Sequence, residues 1–146
     1  MSTEKSTTMR LVRASAVLPA SGAYDAEEDT LRVDLSACSQ TVTLWCKYTR
    51  GDAGGYAAIR PIISPDGVNW YKATLVNGTV TVSAPYGSIP ITAAQHELPE
   101  PADGDEFAFA HTLDVAGARF LKIPAAEVGV TASPGTLEVK LSEDAS

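Results

Sequence analysis

Cysteine is scarce in this chain, with Cys38 and Cys46 the only two among 146 residues. Two cysteines cannot supply the disulfide framework of a small secreted scaffold. A Cys38–Cys46 bridge is open on spacing alone. Cys46 is better read as a buried small hydrophobe, because it shares a strand face with Val42, Leu44 and Tyr48. Two cysteines and the distant His96 and His111 do not make a zinc site, and no other metal or cofactor is expected. Positive charge is also short. Eleven Lys and Arg stand against eighteen Asp and Glu, a net charge of −7, and this argues against a nucleic-acid partner. Long apolar runs are missing, so no segment reaches the roughly 20 residues of a membrane helix and no membrane partner is expected. The opening MSTEKSTTMR has no apolar core of the kind a secretory signal needs. Folding in a cytoplasm is therefore expected. Nucleophile elbows, phosphate-binding loops and H-E-x-x-H motifs are absent too, and no enzyme activity is expected.

What is present is strand grammar. Val42, Leu44, Cys46 and Tyr48 fall on one face of a strand over Gln40 to Thr49, and Thr43, Trp45 and Lys47 on the other. A Gly-rich tip from Thr49 to Gly55 leads into a second strand, Tyr56 to Ser64. Pro61 inside it predicts an edge position or a bulge. Ser64-Pro65-Asp66-Gly67 is strong turn chemistry, with Pro fixing φ and Gly67 supplying a left-handed residue, and a strand from Val68 to Thr74 follows. Further strands are expected at Leu11 to Leu18, Thr30 to Leu35 (Leu31, Val33 and Leu35 inward), Thr79 to Ala84, Phe107 to Leu113, Ala118 to Ile123 and Thr136 to Leu141. Eight to ten strands at this spacing predict an all-β fold, an antiparallel β-sandwich of jelly-roll type. The expected core holds Val42, Leu44, Cys46, Val80, Val82, Leu121, Ile123, Val139 and Leu141.

Two segments break the pattern. Residues 1–13 are polar and carry a balance of +2, which leaves −9 on the rest of the chain. They read as an N-terminal arm attached to one sandwich domain over 14–146. The arm is expected to cross a subunit boundary. Met9, Leu11 and Val12 would be its apolar anchors, and Arg10 and Arg13 would meet acidic groups of the partner. The stretch Pro85 to Glu106 is a long Pro-rich loop that includes Pro90 and Pro99, and it is the second expected contact. A short strand fits near Ser88 to Thr92, and a single helical turn at Ala93 to Leu98 or Pro124 to Val128.

Four groups invite a chemical reading. Arg50-Gly51-Asp52 spells an integrin-binding tripeptide at a hairpin tip, although these are also ordinary turn residues. Trp45, Trp70 and Tyr71 are aromatics a glycan site would use for stacking, or that a partner subunit would cover. Asp103, Asp105 and Glu106, with Glu97 and Glu100 nearby, are carboxylates a calcium ion could use, but they lack an ordered ligand spacing and read as a solvated loop. His111 follows the face of Phe107 and Phe109 and reads as a core or interface residue.

The run LWCKYTRGD…SPDGVNWY, Leu44 to Tyr71, resembles a motif recurrent in small β-sandwich structural proteins of tailed bacteriophages. GARFLKIPAAEVGVTASPGTLEVKL has the general look of their closing strands. The motif is a structural signature, turn residues plus a core Trp. The resemblance implies a non-enzymatic virion protein made in a bacterial cytoplasm. A capsid decoration (cement) protein is the leading expectation. It would bind the major capsid protein or another virion protein on the outer head surface, and its own copies, as a trimer by analogy. A tail, neck or baseplate component is the near alternative. A carbohydrate-binding adhesion module is the alternative of a different class, since Asp-Gly-x-x-Trp turns occur there too.

Overall fold

The computed structural model describes residues 9–19, 24–26, 30–37, 39–49, 56–76, 89–91, 106–128 and 135–145. They form an antiparallel β-sandwich. Its strands are β1 (Arg10–Val17), β2 (Val33–Asp34), β3 (Ser39–Thr49), β4 (Tyr56–Ile59), β5 (Ile62–Ser64), β6 (Tyr71–Lys72), β7 (Thr74–Leu75), β8 (Ile89–Ile91), β9 (Glu106–Asp114), β10 (Phe120–Lys122), β11 (Ala125–Val128) and β12 (Thr136–Ala145).

One layer is a five-stranded sheet in the order β1-β12-β3-β9-β7. Its centre is β3, which pairs in one register with β9 on one side and, from Thr136 to Asp144, with β12 on the other. The alternation of β3 sets the sidedness. Val42, Leu44, Cys46 and Tyr48 are buried, and Trp45 and Lys47 point away. Val139 and Leu141 of β12 and Phe109 of β9 stand opposite these inward residues and extend the same face.

The other layer consists of a four-stranded sheet, β2-β10-β5-β6, and a three-stranded one, β11-β4-β8. These two share one register. Lys122 faces Ile62 in the first and Ala125 faces Ile59 in the second, with no residue inserted between. Pro61 and Pro124 fall in the gap. Neither has an N–H to give, so the ladder loses donors there and is interrupted. The expected single strand Tyr56 to Ser64 is thus two strands, β4 and β5, parted at Arg60 and Pro61. Ala125–Val128 is a strand rather than a helical turn, because each of its residues pairs with β4.

One apolar cluster lies between the layers. Val42, Leu44, Cys46, Tyr48, Leu137, Val139 and Leu141 of the first layer meet Val33, Ala57, Ile59, Leu121 and Ala125 of the second. Every expected core residue that is described is buried, and Val80 and Val82 lie outside the described residues. Leu31 departs from expectation. It is 54% exposed, because strand β2 starts only at Val33 and period-2 alternation does not extend to residues before it.

Candidate interaction surfaces

The Ser64–Trp70 turn is built by its own side chains. Ser64 Oγ accepts from the N–H of Gly67 (2.8 Å) and of Asp66 (3.2 Å). Asp66 Oδ1 accepts from the N–H of Val68 (2.8 Å) and Asn69 (2.9 Å), and Oδ2 from Asn69 Nδ2 (2.9 Å). The Asn69 N–H, then that of Val68, hold the Asp66 carboxyl well below the usual carboxylate range. Gly67 sits at φ 79°, the left-handed position the sequence required. The SPDGVNW string is thus spent on forming a turn. Trp70 is half-buried at its end, with Lys122 Nζ 4.9 Å from the ring centroid.

The three aromatics considered for stacking do not gather. Trp70 and Tyr71 belong to the four-stranded sheet and its turn, and Trp45 to the outer face of the five-stranded sheet. Trp45 is 44% exposed, and its indole Nε1 donates to Ser142 Oγ at 2.9 Å. Across the ladder it faces Ala110 on one side and Lys140 on the other. The small Ala108 and Ala110 leave a shallow groove of about 350 Å³ beside it, lined also by Met9, Lys47, Glu138 and Lys140. Met9 (49%) and Leu11 (52%) are exposed at this edge of the sheet.

The residues expected to form an arm enter the sandwich instead. Arg10 to Arg13 lie in β1, paired to β12, and residues 1–8 lie outside the described residues. Val12 is buried in the chain's own core. Arg10 Nη2 pairs with Glu143 Oε1, and its Nη1 donates to the Asp34 carbonyl at 3.0 Å. Arg13 reaches Asp25 Oδ2 at 3.4 Å and the Leu137 carbonyl at 2.6 Å. Both arginines therefore spend their hydrogen bonds within the chain, which leaves Met9 and Leu11 as the outward residues of this segment. Its polar pattern gave no sign of that, because alternation is irregular where β1 shifts register on either side of Arg13.

Pro90 is the middle residue of β8, with its backbone opposite Ala58. Pro99, Asp103, Asp105, His96, Cys38 and Arg50 to Asp52 lie outside the described residues. His111 is half-buried in β9, opposite Leu44. Cys46 is a free, buried thiol, and burial pushes its pKa up to about 12. Among the described residues no three His, Cys, Asp or Glu side chains converge as a metal site would need. No helix is long and apolar enough to cross a membrane among them.

Sequence reasoning missed Glu127. It is fully buried in β11, and its Oε2 accepts from the Gly135 N–H at 2.8 Å, while Oε1 has no hydrogen-bond partner among the described residues. The pattern AAEV would have hinted at it, as a lone acid inside an apolar run. No protein-family model matches the chain, and no curated protein matches it in sequence.

Proposed function

We propose that this chain is a structural virion protein of a tailed bacteriophage, a capsid decoration protein that binds the outer head surface and stabilises it. The observation that carries the reading is the outer face of the five-stranded sheet. There Met9 and Trp45 are exposed beside Ala108 and Ala110, and Leu11 is exposed in the same cross-strand row beyond Lys140, so apolar surface is held out of the core on the sheet. Apolar patches of this kind on an otherwise charged domain mark protein contacts. The acidic net charge suits an exterior position better than one facing packaged DNA. The likeness of Leu44 to Tyr71 to the phage motif supplies the virion setting. The function is then mechanical, since many bound copies bridge capsid subunits against internal pressure.

The test is location. Particles carrying a tagged copy are imaged, and purified protein is added to heads that lack it. Regular density on the head surface, lost with Trp45→Ala and Leu11→Ser together, is expected. Density confined to the tail, neck or baseplate assigns the protein there instead.

A second reading rests on Trp45 alone. An exposed indole pinned through Nε1, with small neighbours beside it and Lys47, Glu138 and Lys140 at the rim, is also what a sugar ring stacks on. Glycan-array binding that Trp45→Ala abolishes, without binding to heads, would favour it.

A further inference from the structure

Strand β1 is held more by polar contacts than by apolar burial. Six of its eight residues are exposed, and Val12 alone is buried within it, with Leu18 just beyond its end. Its ladder to β12 shifts register on either side of Arg13. What fixes the strand is a pair of arginines, each gripping both layers. Arg10 pairs with Glu143 of β12 and donates to the Asp34 carbonyl of β2 at 3.0 Å. Arg13 donates to the Leu137 carbonyl of β12 at 2.6 Å. It also reaches, at 3.4 Å, Asp25 Oδ2, which accepts from the Ala125 N–H of β11 at 3.1 Å.

The seat of β1 is specific to this strand. It offers an apolar slot for Val12 flanked by two carboxylates, Glu143 and Asp25, that take arginines three residues apart. Arg-x-x-Arg occurs once in the chain, at Arg10 and Arg13. An empty seat would open the edge of β12, leave a hole in the core at Val12 and take these arginines from both carboxylates. The strand that best refills it is therefore another copy of the same strand. The connection to the rest of the chain is short. Leu18 and Pro19 are anchored to Gly135 and Glu127, and Tyr24 and Asp25 to Arg60 and Ala125, so only residues 20–23 lie between the two anchored ends. Short connections invite exchange, because a strand with little slack to reach its own seat finds an identical one on a neighbour.

We infer that β1 is exchanged between two copies of this chain, each copy's first strand seated on β12 of the other. Every contact of β1 is then reproduced across a subunit boundary, and no new complementary surface is required. Fully extended, the five steps from Pro19 to Tyr24 span about 17 Å, so the two copies lie side by side. Exchange rests on the contacts of β1 alone and its test uses no particle, so its failure and the failure of the head-binding reading are separate results.

The experiment mixes two full-length variants, Arg10→Glu and Glu143→Arg. Each alone sets like charges together at the seat. In a reciprocal exchange between them, one seat regains the native pair and the other holds it with the charges reversed. Unfolded together in urea and refolded, the mixture should form a dimer of mixed composition that melts above either variant alone. Mixing that leaves each variant melting as it does alone overturns the inference. So does a wild type that refolds at high concentration only to monomer, read by sedimentation velocity. If the charge variants fail to fold, exposed positions carry the test. Leu11 faces Lys140 across the ladder, and Leu11→Cys and Lys140→Cys are placed on separate chains in a Cys38→Ser background. A disulfide joining position 11 of one chain to position 140 of the other is expected. Links between like positions only, or none, overturn the exchange.

Discussion

The backbone N–H of Arg60 donates to the carbonyl of Pro124 at 2.8 Å, midway between two sheets that otherwise look separate. In an antiparallel ladder such a pair exchanges two hydrogen bonds. Here only one exists, because Pro124 has no N–H to return. Pro61, the next residue, lacks a donor as well, and its carbonyl takes the N–H of Ala73 instead. The sandwich therefore has two layers and not three. The second layer is a single antiparallel register interrupted at Pro61 and Pro124.

The turn at Gly67 should be intolerant of a side chain. At φ 79° any L-residue is strained, and a Cβ placed there would stand 3.4 Å from the Phe120 ring. Gly67→Ala is expected to destabilise by about 1 kcal/mol or more, read as a lower urea midpoint with an unchanged slope. An unchanged midpoint would mean that the turn relaxes to another type.

Cys46 should make the fold sensitive to alkali. Its folded pKa is raised from 9.0 to about 12, so the unfolded chain ionises first. Its contribution is complete below pH 9 and is lost as pH rises from there towards 12. The stability of the wild type should therefore fall faster over that window than that of Cys46→Ala. In a Cys38→Ser background the remaining thiol should react with a disulfide reagent only as fast as the protein opens. Rapid labelling of the native protein would contradict the buried position.

Glu127 should act through its hydrogen bond to Gly135. Glu127→Ala strands that N–H in a buried site and is expected to cost about 1–3 kcal/mol. Glu127→Gln keeps an acceptor in place and should cost much less. Thermal or urea unfolding of the two variants decides it, and equal losses would mean that the Gly135 contact contributes nothing.

Much of the first layer was legible in the sequence, because β3, β9 and β12 are long and bury apolar side chains on one face, while the buried Thr43 and Ser142 of the other face are polar. Their alternation is therefore undiluted, and Val42, Leu44, Cys46, Val139 and Leu141 could be placed on it directly. The second layer was harder to read. In β4 and β11 both faces are covered, so Ala57, Ala58 and Ile59, and Ala125, Ala126 and Glu127, are buried in succession and period 2 disappears. The prolines gave the position of the interruption but not its form, since an edge, a bulge and a break between two paired segments all place Pro in a strand. The surface candidates were the least legible. Trp45 could be assigned to the outer face, but its bond to Ser142 joins residues far apart in sequence.

Strands β6 and β7 are separated by Ala73 alone, yet β6 belongs to one layer and β7 to the other. A force that slides the layers past each other therefore does not meet side-chain packing alone. It is transmitted also through a covalent link one residue long, anchored on one side by the Ala73 N–H bond to Pro61 and on the other by the pairing of Thr74 and Leu75 with β9. Under load the two layers should give way as one body, with no slip plane between them to yield first.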